Sequence, residues 1–456
     1  MGWPVYKSYF FCGIGGSGMM PLAQIVAAAG HRVAGSDRAL DQGRTAPKFD
    51  AMRKQGISLF AQDGSGLTSA DQIVVASAAI EATVLDIVRA TELGCARLSR
   101  AELLAELFNA APVNIAVGGT SGKSTVTGMI GWILTQVGRD PTIMNGAVMK
   151  NFGSGARVGG GDLFVSEVDE SDGSIALYRP HIAVLNNVAV DHKSMEELRA
   201  LFGDFLIRAK ACVVNADNAE ALAIAPTDAL TFGLSPAAQL RATELMERPD
   251  GVSFLLTDHR TGESLSARLA VPGRHNVSNA LAAIGAATLA GTPLADTAAA
   301  LATFSGLRRR MEQVGSANGV TVIDDFGHNP DKIAATLTAL HAFPGRLLLF
   351  FQPHGYGPLK LMGRELADSF IANMKIEDRL IVSDPAYFGG TVDRSVGSDA
   401  LVTMIGAQAE HIGDRPAIAT RLAALALPGD RIVVMGARDD TLSTFAAGLL
   451  DLVSPA

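Results

Sequence analysis

The chain has 456 residues, 48% apolar and 18% charged, with a formal net charge of −8. That length points to about three domains, and the negative balance, with no basic run longer than Arg308-Arg309-Arg310, argues against a nucleic-acid partner. Cys12, Cys95 and Cys212 are too few and too widely spaced for a disulfide framework or a metal cluster, and read as buried thiols of a reducing compartment. The N-terminus lacks a charged segment followed by an apolar core, and no apolar run reaches the roughly 18–20 residues of a membrane span. The expectation is a cytoplasmic protein with no membrane partner.

The first block, residues 1–110, alternates strand-like and helix-like runs. Tyr9-Phe10-Phe11-Cys12 reads as a buried strand entering Gly13-Ile14-Gly15-Gly16-Ser17-Gly18. A helix pattern follows to Ala28, then strands at His31–Gly35 and Ile73–Ala76. This βαβ order predicts an α/β fold with a parallel, Rossmann-like sheet. The second block, 111–305, opens on an apolar strand that meets a second glycine loop. Strands follow at Leu163–Val165 and Ile182–Leu185, then a hairpin-like run at Gly251–Thr257 and an Ala-rich helix from Asn276 to Ala290. It reads as a P-loop ATPase-type domain. The third block, 306–456, has strands at Val320–Ile323, Leu347–Phe351, Arg379–Val382 and Ile432–Met435, again Rossmann-like.

The second loop carries the strongest chemistry. Residues 115–125 read Ile-Ala-Val-Gly-Gly-Thr-Ser-Gly-Lys-Ser-Thr. Gly118, Gly119 and Gly122 let backbone N–H groups turn toward an anion at a helix start. Lys123 reaches outer phosphates, and the Ser124 or Thr125 hydroxyl holds magnesium. Val117 stands where the common loop has its first glycine, so this is a shortened version. Glu167 and Asp169 end an apolar strand, where carboxylates hold magnesium between phosphates. Asp191-His192 ends the next strand, and His192 suits a second metal. His275 and Asn279 lie i, i+4 on one helix face, placed to meet a nucleotide. Asp324-Asp325-Phe326-Gly327-His328-Asn329 and Gln352-Pro353-His354 end two strands of the third block, the edge where α/β sheets bind ligands.

The first loop, Gly13-x-Gly15-x-x-Gly18 followed by Asp37, reads alone as a dinucleotide fingerprint with Asp37 on a ribose hydroxyl. A nicotinamide-dependent oxidoreductase would use it so, but leaves the second loop unexplained. The same geometry holds any diphosphate. Two such loops in one chain point to ATP-driven chemistry on a nucleotide-linked substrate.

In this order, the shortened loop and the stretches Glu167–Asp172, Gly273–Asn279 and Asp324–His328 resemble the Mur ligases, ATP-dependent amide-forming enzymes of peptidoglycan synthesis. The resemblance spans nearly the whole chain. It implies ATP and Mg2+ as cofactors, and UDP-N-acetylmuramate and an amino acid or short peptide as partners, in a monomer or homodimer. The sugar nucleotide would lie on Gly13, Gly15, Gly16, Ser17, Gly18, Ser36, Asp37 and Ser77. ATP would lie on Gly119, Thr120, Ser121, Gly122, Lys123, Ser124 and Thr125, with His275, Asn276, Asn279 and Asp325. Ser124, Glu167 and His192 would hold metal, and Arg309 or Arg310 would stand near the γ-phosphate. Phe326, His328, Asn329 and His354 would meet the amine, and a hinge is expected near residue 306.

The first loop and Gln352-Pro353-His354 resemble family members that add L-alanine. Arg309–Glu312, Tyr178–Pro180 and Leu359–Gly363 resemble those that attach the tripeptide L-Ala-γ-D-Glu-meso-diaminopimelate. Four positions depart from the alanine-adding pattern: Ser121 and Asn329, where it has His; Ser124, where it has Thr; and Gly355, where it has Arg. Those at Ser121, Asn329 and Gly355 also leave open a non-catalytic UDP-sugar-binding relative.

Overall fold

The computed structural model describes residues 7–16, 18–43, 46–77, 80–189, 193–387, 393–437, 439 and 441–453. The chain divides into two compact units, Met1–Gly306 and Leu307–Ala456.

The first unit holds two sheets. The smaller has five parallel strands in the order Ser58–Phe60, Arg32–Ser36, Ser8–Cys12, Gln72–Ala76, Arg97–Ser99. The central Ser8–Cys12 pairs on both sides, so its carboxyl end is the point where strand order reverses and a crevice opens. The larger sheet is mixed and has ten strands. Val113–Gly118 lies inside it, between Ile182–Leu185 and Leu163–Glu167, parallel to both. The run at Gly251–Thr257 becomes the middle of a three-stranded antiparallel extension, Leu240–Arg248, Gly251–Asp258 and Glu263–Leu269. The parallel strands read as unbroken apolar runs because helices cover both faces.

Phe108, on the helix Arg100–Ala110, packs edge-on to Phe164 and to Tyr178, with ring centroids 5.7 and 5.1 Å away. One apolar cluster runs from Tyr9 and Phe11 of the small sheet through Phe108 to Phe164 and Phe202 of the large one. Asn109 closes the same seam: its side-chain amide donates to the Leu177 carbonyl and its oxygen accepts the Arg179 N–H, both at 2.9 Å.

The second unit has one six-stranded sheet, ordered Glu312–Ala317, Val320–Asp325, Arg431–Gly436, Leu347–Gln352, Arg379–Val382, Ala409–His411. Only the first strand is antiparallel; it forms a hairpin with its neighbour through Asn318-Gly319, both at positive φ. Asp325, Gln352 and Gly436 therefore end adjacent parallel strands at one edge.

The cysteines form no disulfides. Cys12 and Cys212 are buried, and burial pushes their thiols up to about 12 and about 11. Cys95, expected to be buried, is only partly so. Among the described residues no helix is long and apolar enough to cross a membrane.

Phe108 is fully buried and joins the two sheets of the first unit. Phe108→Ala should therefore destabilise that unit by about 3–5 kcal/mol, read as a lower urea midpoint for its unfolding.

Candidate functional site

The loop between Val113–Gly118 and the helix Lys123–Gln136 is held from outside by two adjacent amides. Asn187 accepts from the Thr120 hydroxyl and the Ser121 N–H, each at 2.8 Å, and donates to the Ser121 carbonyl and hydroxyl at 3.1 and 2.9 Å. Asn186 donates to the Ser121 carbonyl and to Asn279 at 3.0 Å each, and Asn279 donates to Asn276 at 3.1 Å. Gly122, the residue before the helix, sits at φ 83, where a Cβ would run into Asn186 and Asn279. Asn276 and Asn279 thus join the loop. His275, expected beside Asn279, is exposed.

Lys123 opens the helix and folds back on the loop. Its ammonium donates to the Gly119 carbonyl at 2.7 Å and to both oxygens of Glu170 at 3.0 and 2.9 Å. The Ser124 hydroxyl donates to Glu167 at 2.7 Å. Space for that carboxylate exists because Gly146 has no side chain: a Cβ there would overlap Glu167. Burial pushes the Asp169 carboxyl up, but the Ser171 hydroxyl and N–H, with the charges of Lys123 and Arg100, outweigh it and hold it below the usual range. Ser124 and Glu167 are hard oxygen donors suited to Mg2+. His192, expected to complete the metal site, lies outside the described residues, among which no three His, Cys, Asp or Glu side chains form a metal cluster.

The first glycine loop is closed by Asp37, whose carboxylate takes the Gly15 N–H and the Ala39 N–H, each at 2.8 Å. Lys48 donates to the Gly15 carbonyl. Asp37 thus shapes the loop. Ser36, expected at the sugar nucleotide, is fully buried, its hydroxyl given to the buried Asp86. Gly13, Gly16 and Gly18 lie along the loop, Gly16 donating to the Gly13 carbonyl at 3.1 Å, and Ser77 follows the strand Gln72–Ala76. Ser17 is outside the described residues.

In the second unit several expected ligand residues are bonded within the fold. Asp325 is buried, and accepts from the Met311 N–H at 2.8 Å and from Gly327 and the Thr336 hydroxyl at 2.9 Å. Asn329 caps the helix Pro330–His341 through the Lys332 N–H at 2.9 Å. Arg309 donates to the Gly436 and Asp439 carbonyls at 2.7 and 3.2 Å and lies 3.5 Å from the buried Asp324. It clamps that sheet edge, and both Arg309 and Arg310 lie over the Phe326 ring, 5.1 and 4.8 Å from its centroid. Phe326, His328 and His354 form a row, with ring centroids 5.2 and 5.1 Å apart. Burial, then the charge of Lys332, holds His328 down to about 3 despite its contact with the Phe326 carbonyl.

Sequence reasoning did not assign roles to Glu170, Asn186, Asn187 or Arg100. Glu170 is visible as the third acid of Glu-Val-Asp-Glu, and the paired Asn at a strand end is visible too, but neither spacing shows which partner each takes. Arg100 opens its helix within reach of Gly18, and no sequence signal ties the two.

Three family models match in succession: the Mur ligase family catalytic domain at residues 8–111, the Mur ligase middle domain at 117–287, and the Mur ligase glutamate ligase domain at 309–438. A UDP-N-acetylmuramate–L-alanine ligase of Agrobacterium fabrum is 35% identical over 94% of each chain. Another, of Rhizobium meliloti, is 34% identical over 96% of this chain and 95% of its own. Among solved structures, the UDP-N-acetylmuramate–alanine ligase of Thermotoga maritima has a TM-score of 0.79 at 22% identity, covering 98% of this chain and 99% of that one. A murein peptide ligase of Psychrobacter arcticus has a TM-score of 0.71 at 24% identity, covering 99% of each. At these identities the structural matches establish the fold.

Two outcomes follow from the geometry. Asn187→Ala removes four hydrogen bonds from the loop, so amides at 120–122 should exchange with deuterium at least about tenfold faster, with amides of the second unit unchanged. His328 is held neutral when folded but takes a proton near pH 6.5 when unfolded. Its contribution to stability is full above that pH and falls as pH drops toward 3. His328→Gln should flatten the loss of stability between pH 7 and pH 4 in denaturant titrations.

Proposed function

Because the chain belongs to the Mur ligase family, we propose that it joins the carboxylate of UDP-N-acetylmuramate to the amine of L-alanine, driven by ATP and releasing ADP and phosphate. The observation that carries this reading is the glycine loop with Lys123 folded over it and Ser124 on Glu167. The names of the relatives, which match nearly end to end, supply the substrates.

A carboxylate does not react with an amine unaided, because its oxygen is a poor leaving group. Phosphorylation by the γ-phosphoryl of ATP gives an acyl phosphate. The amine attacks its carbonyl, the tetrahedral adduct collapses, and phosphate leaves. Loop N–H groups and Lys123 balance the charge of the transferring phosphoryl group, and Arg310 adds a further positive charge. Ser124 and Glu167, with His192, are the proposed Mg2+ ligands; the ion supplies neutralisation of phosphate charge. Asn276 and Asn279 support the nucleotide side through Asn186. The sugar nucleotide is assigned to the Gly13–Gly18 loop, and the amine to the row Phe326, His328, His354, where a neutral His328 does not repel an ammonium. The proposed domains are 1–110, 111–305 and 306–456, and the proposed location is the cytoplasm.

A second amine, the tripeptide L-Ala-γ-D-Glu-meso-diaminopimelate, is favoured by one feature. At Gly355, where the alanine-adding pattern has Arg, an added Cβ would meet no atom closer than 3.5 Å.

Lys123→Ala should lower ADP release that requires both UDP-N-acetylmuramate and an amine by at least about a hundredfold; retained activity would sink the assignment. Side-by-side assays of the unaltered protein with L-alanine and with the tripeptide decide the amine, and turnover with neither would leave only the non-catalytic relative.

A further inference from the structure

Lys123, central to the proposed chemistry, already has an anionic partner. Its three N–H groups are met by the Gly119 carbonyl and the two Glu170 oxygens, all within 2.7–3.0 Å. The Glu170 side chain is 7% exposed and that of Lys123 19%. The turn carrying Glu170 is itself fixed. Gly173 donates to the Glu170 carbonyl, Ile175 to the Asp169 carbonyl, and Val168 to the Val117 carbonyl. Nearby Glu167 and Asp169 are acidic as well, so this turn offers Glu170 no positive charge of its own. A buried carboxylate that loses its partner is strongly destabilised. Phosphate oxygens approaching the loop need the same ammonium that Glu170 holds.

We propose that Glu170 is the resting counter-ion of Lys123, and that nucleotide phosphates take the lysine from it by exchange. Glu170 is then a positioning residue with two effects. It keeps Lys123 folded over the loop before nucleotide arrives, and it opposes nucleotide that brings no compensating cation. A divalent ion arriving with the phosphates at Ser124 and Glu167 gives the released carboxylate a new positive neighbour. Metal-free nucleotide gives it none. This rests on the ligase reading above, and it concerns a carboxylate that reading leaves without a role.

The test is calorimetric titration of the full chain with ADP, in EDTA and again in excess Mg2+. Glu170→Gln should bind metal-free ADP about tenfold more tightly than the unaltered protein. It should also show a smaller gain in affinity on adding Mg2+. Glu170→Asp keeps the charge one methylene short of the lysine and should fall between, which provides a second reading if the Gln variant folds poorly. Metal-free affinity unchanged or weakened in both variants would overturn the proposal, including when their melting temperatures fall, since a purely structural ion pair gives that pattern. Failure of the unaltered protein to bind ADP under either condition would overturn the ligase reading, and the exchange with it.

Discussion

Asn187 accepts from the Thr120 hydroxyl and the Ser121 N–H and donates to the Ser121 carbonyl and hydroxyl, so its side chain and the turn it borders fit each other on both edges. A glycine loop that presents N–H groups to an anion cannot satisfy its carbonyls within itself. Here the next parallel strand supplies what is missing. Its end delivers Asn186 and Asn187, and Asn186 carries the tie on to Asn279 of a helix far along the chain. Gly122 is required at that contact twice over, by its positive φ and by the lack of room for a Cβ. Everything proposed for this site depends on that fit, because it fixes where the helix beginning at Lys123 starts.

Charge is arranged around that start with equal economy. Glu167, Asp169 and Glu170 follow one buried strand. Glu167 meets the Ser124 hydroxyl, Asp169 turns back on Ser171, and Glu170 meets Lys123. Three acids in four residues would repel one another if all faced one cavity. Separate partners let them coexist, and only Glu167 is left beside the hydroxyl suited to Mg2+. In the second unit candidate residues are likewise held by partners of their own. Asp325 takes two backbone N–H groups and a hydroxyl, and Arg309 donates to two backbone carbonyls, so both tie down the sheet edge where Phe326, His328 and His354 lie.

The strands that position the site were legible because parallel sheets are buried on both faces and leave unbroken apolar runs, as at Phe10-Phe11 and Leu347–Phe351. The glycine loops were legible because only glycine tolerates their backbone. The short edge strands Ser58–Phe60 and Arg97–Ser99 were not, since three residues carry no period. Asp325 and Asn329 read as ligand residues because they follow a strand at the ligand-binding sheet edge, and Arg309 because of the family resemblance. A sequence gives position along the chain but not whether a polar side chain turns outward or caps its own backbone. Glu170 and Asn187 were missed for the converse reason: their partners lie 47 and 66 residues away, and nothing local marks the pairing.

The central claim is that the loop at Lys123 serves phosphoryl transfer to a carboxylate rather than nucleotide binding alone. It is tested most directly by UDP-N-acetylmuramate carrying 18O in its carboxylate, turned over with ATP and an amine, with the released phosphate analysed by mass spectrometry. An acyl phosphate requires one labelled oxygen to pass into phosphate for each amide formed. Unlabelled phosphate, or AMP in place of ADP, would contradict the account.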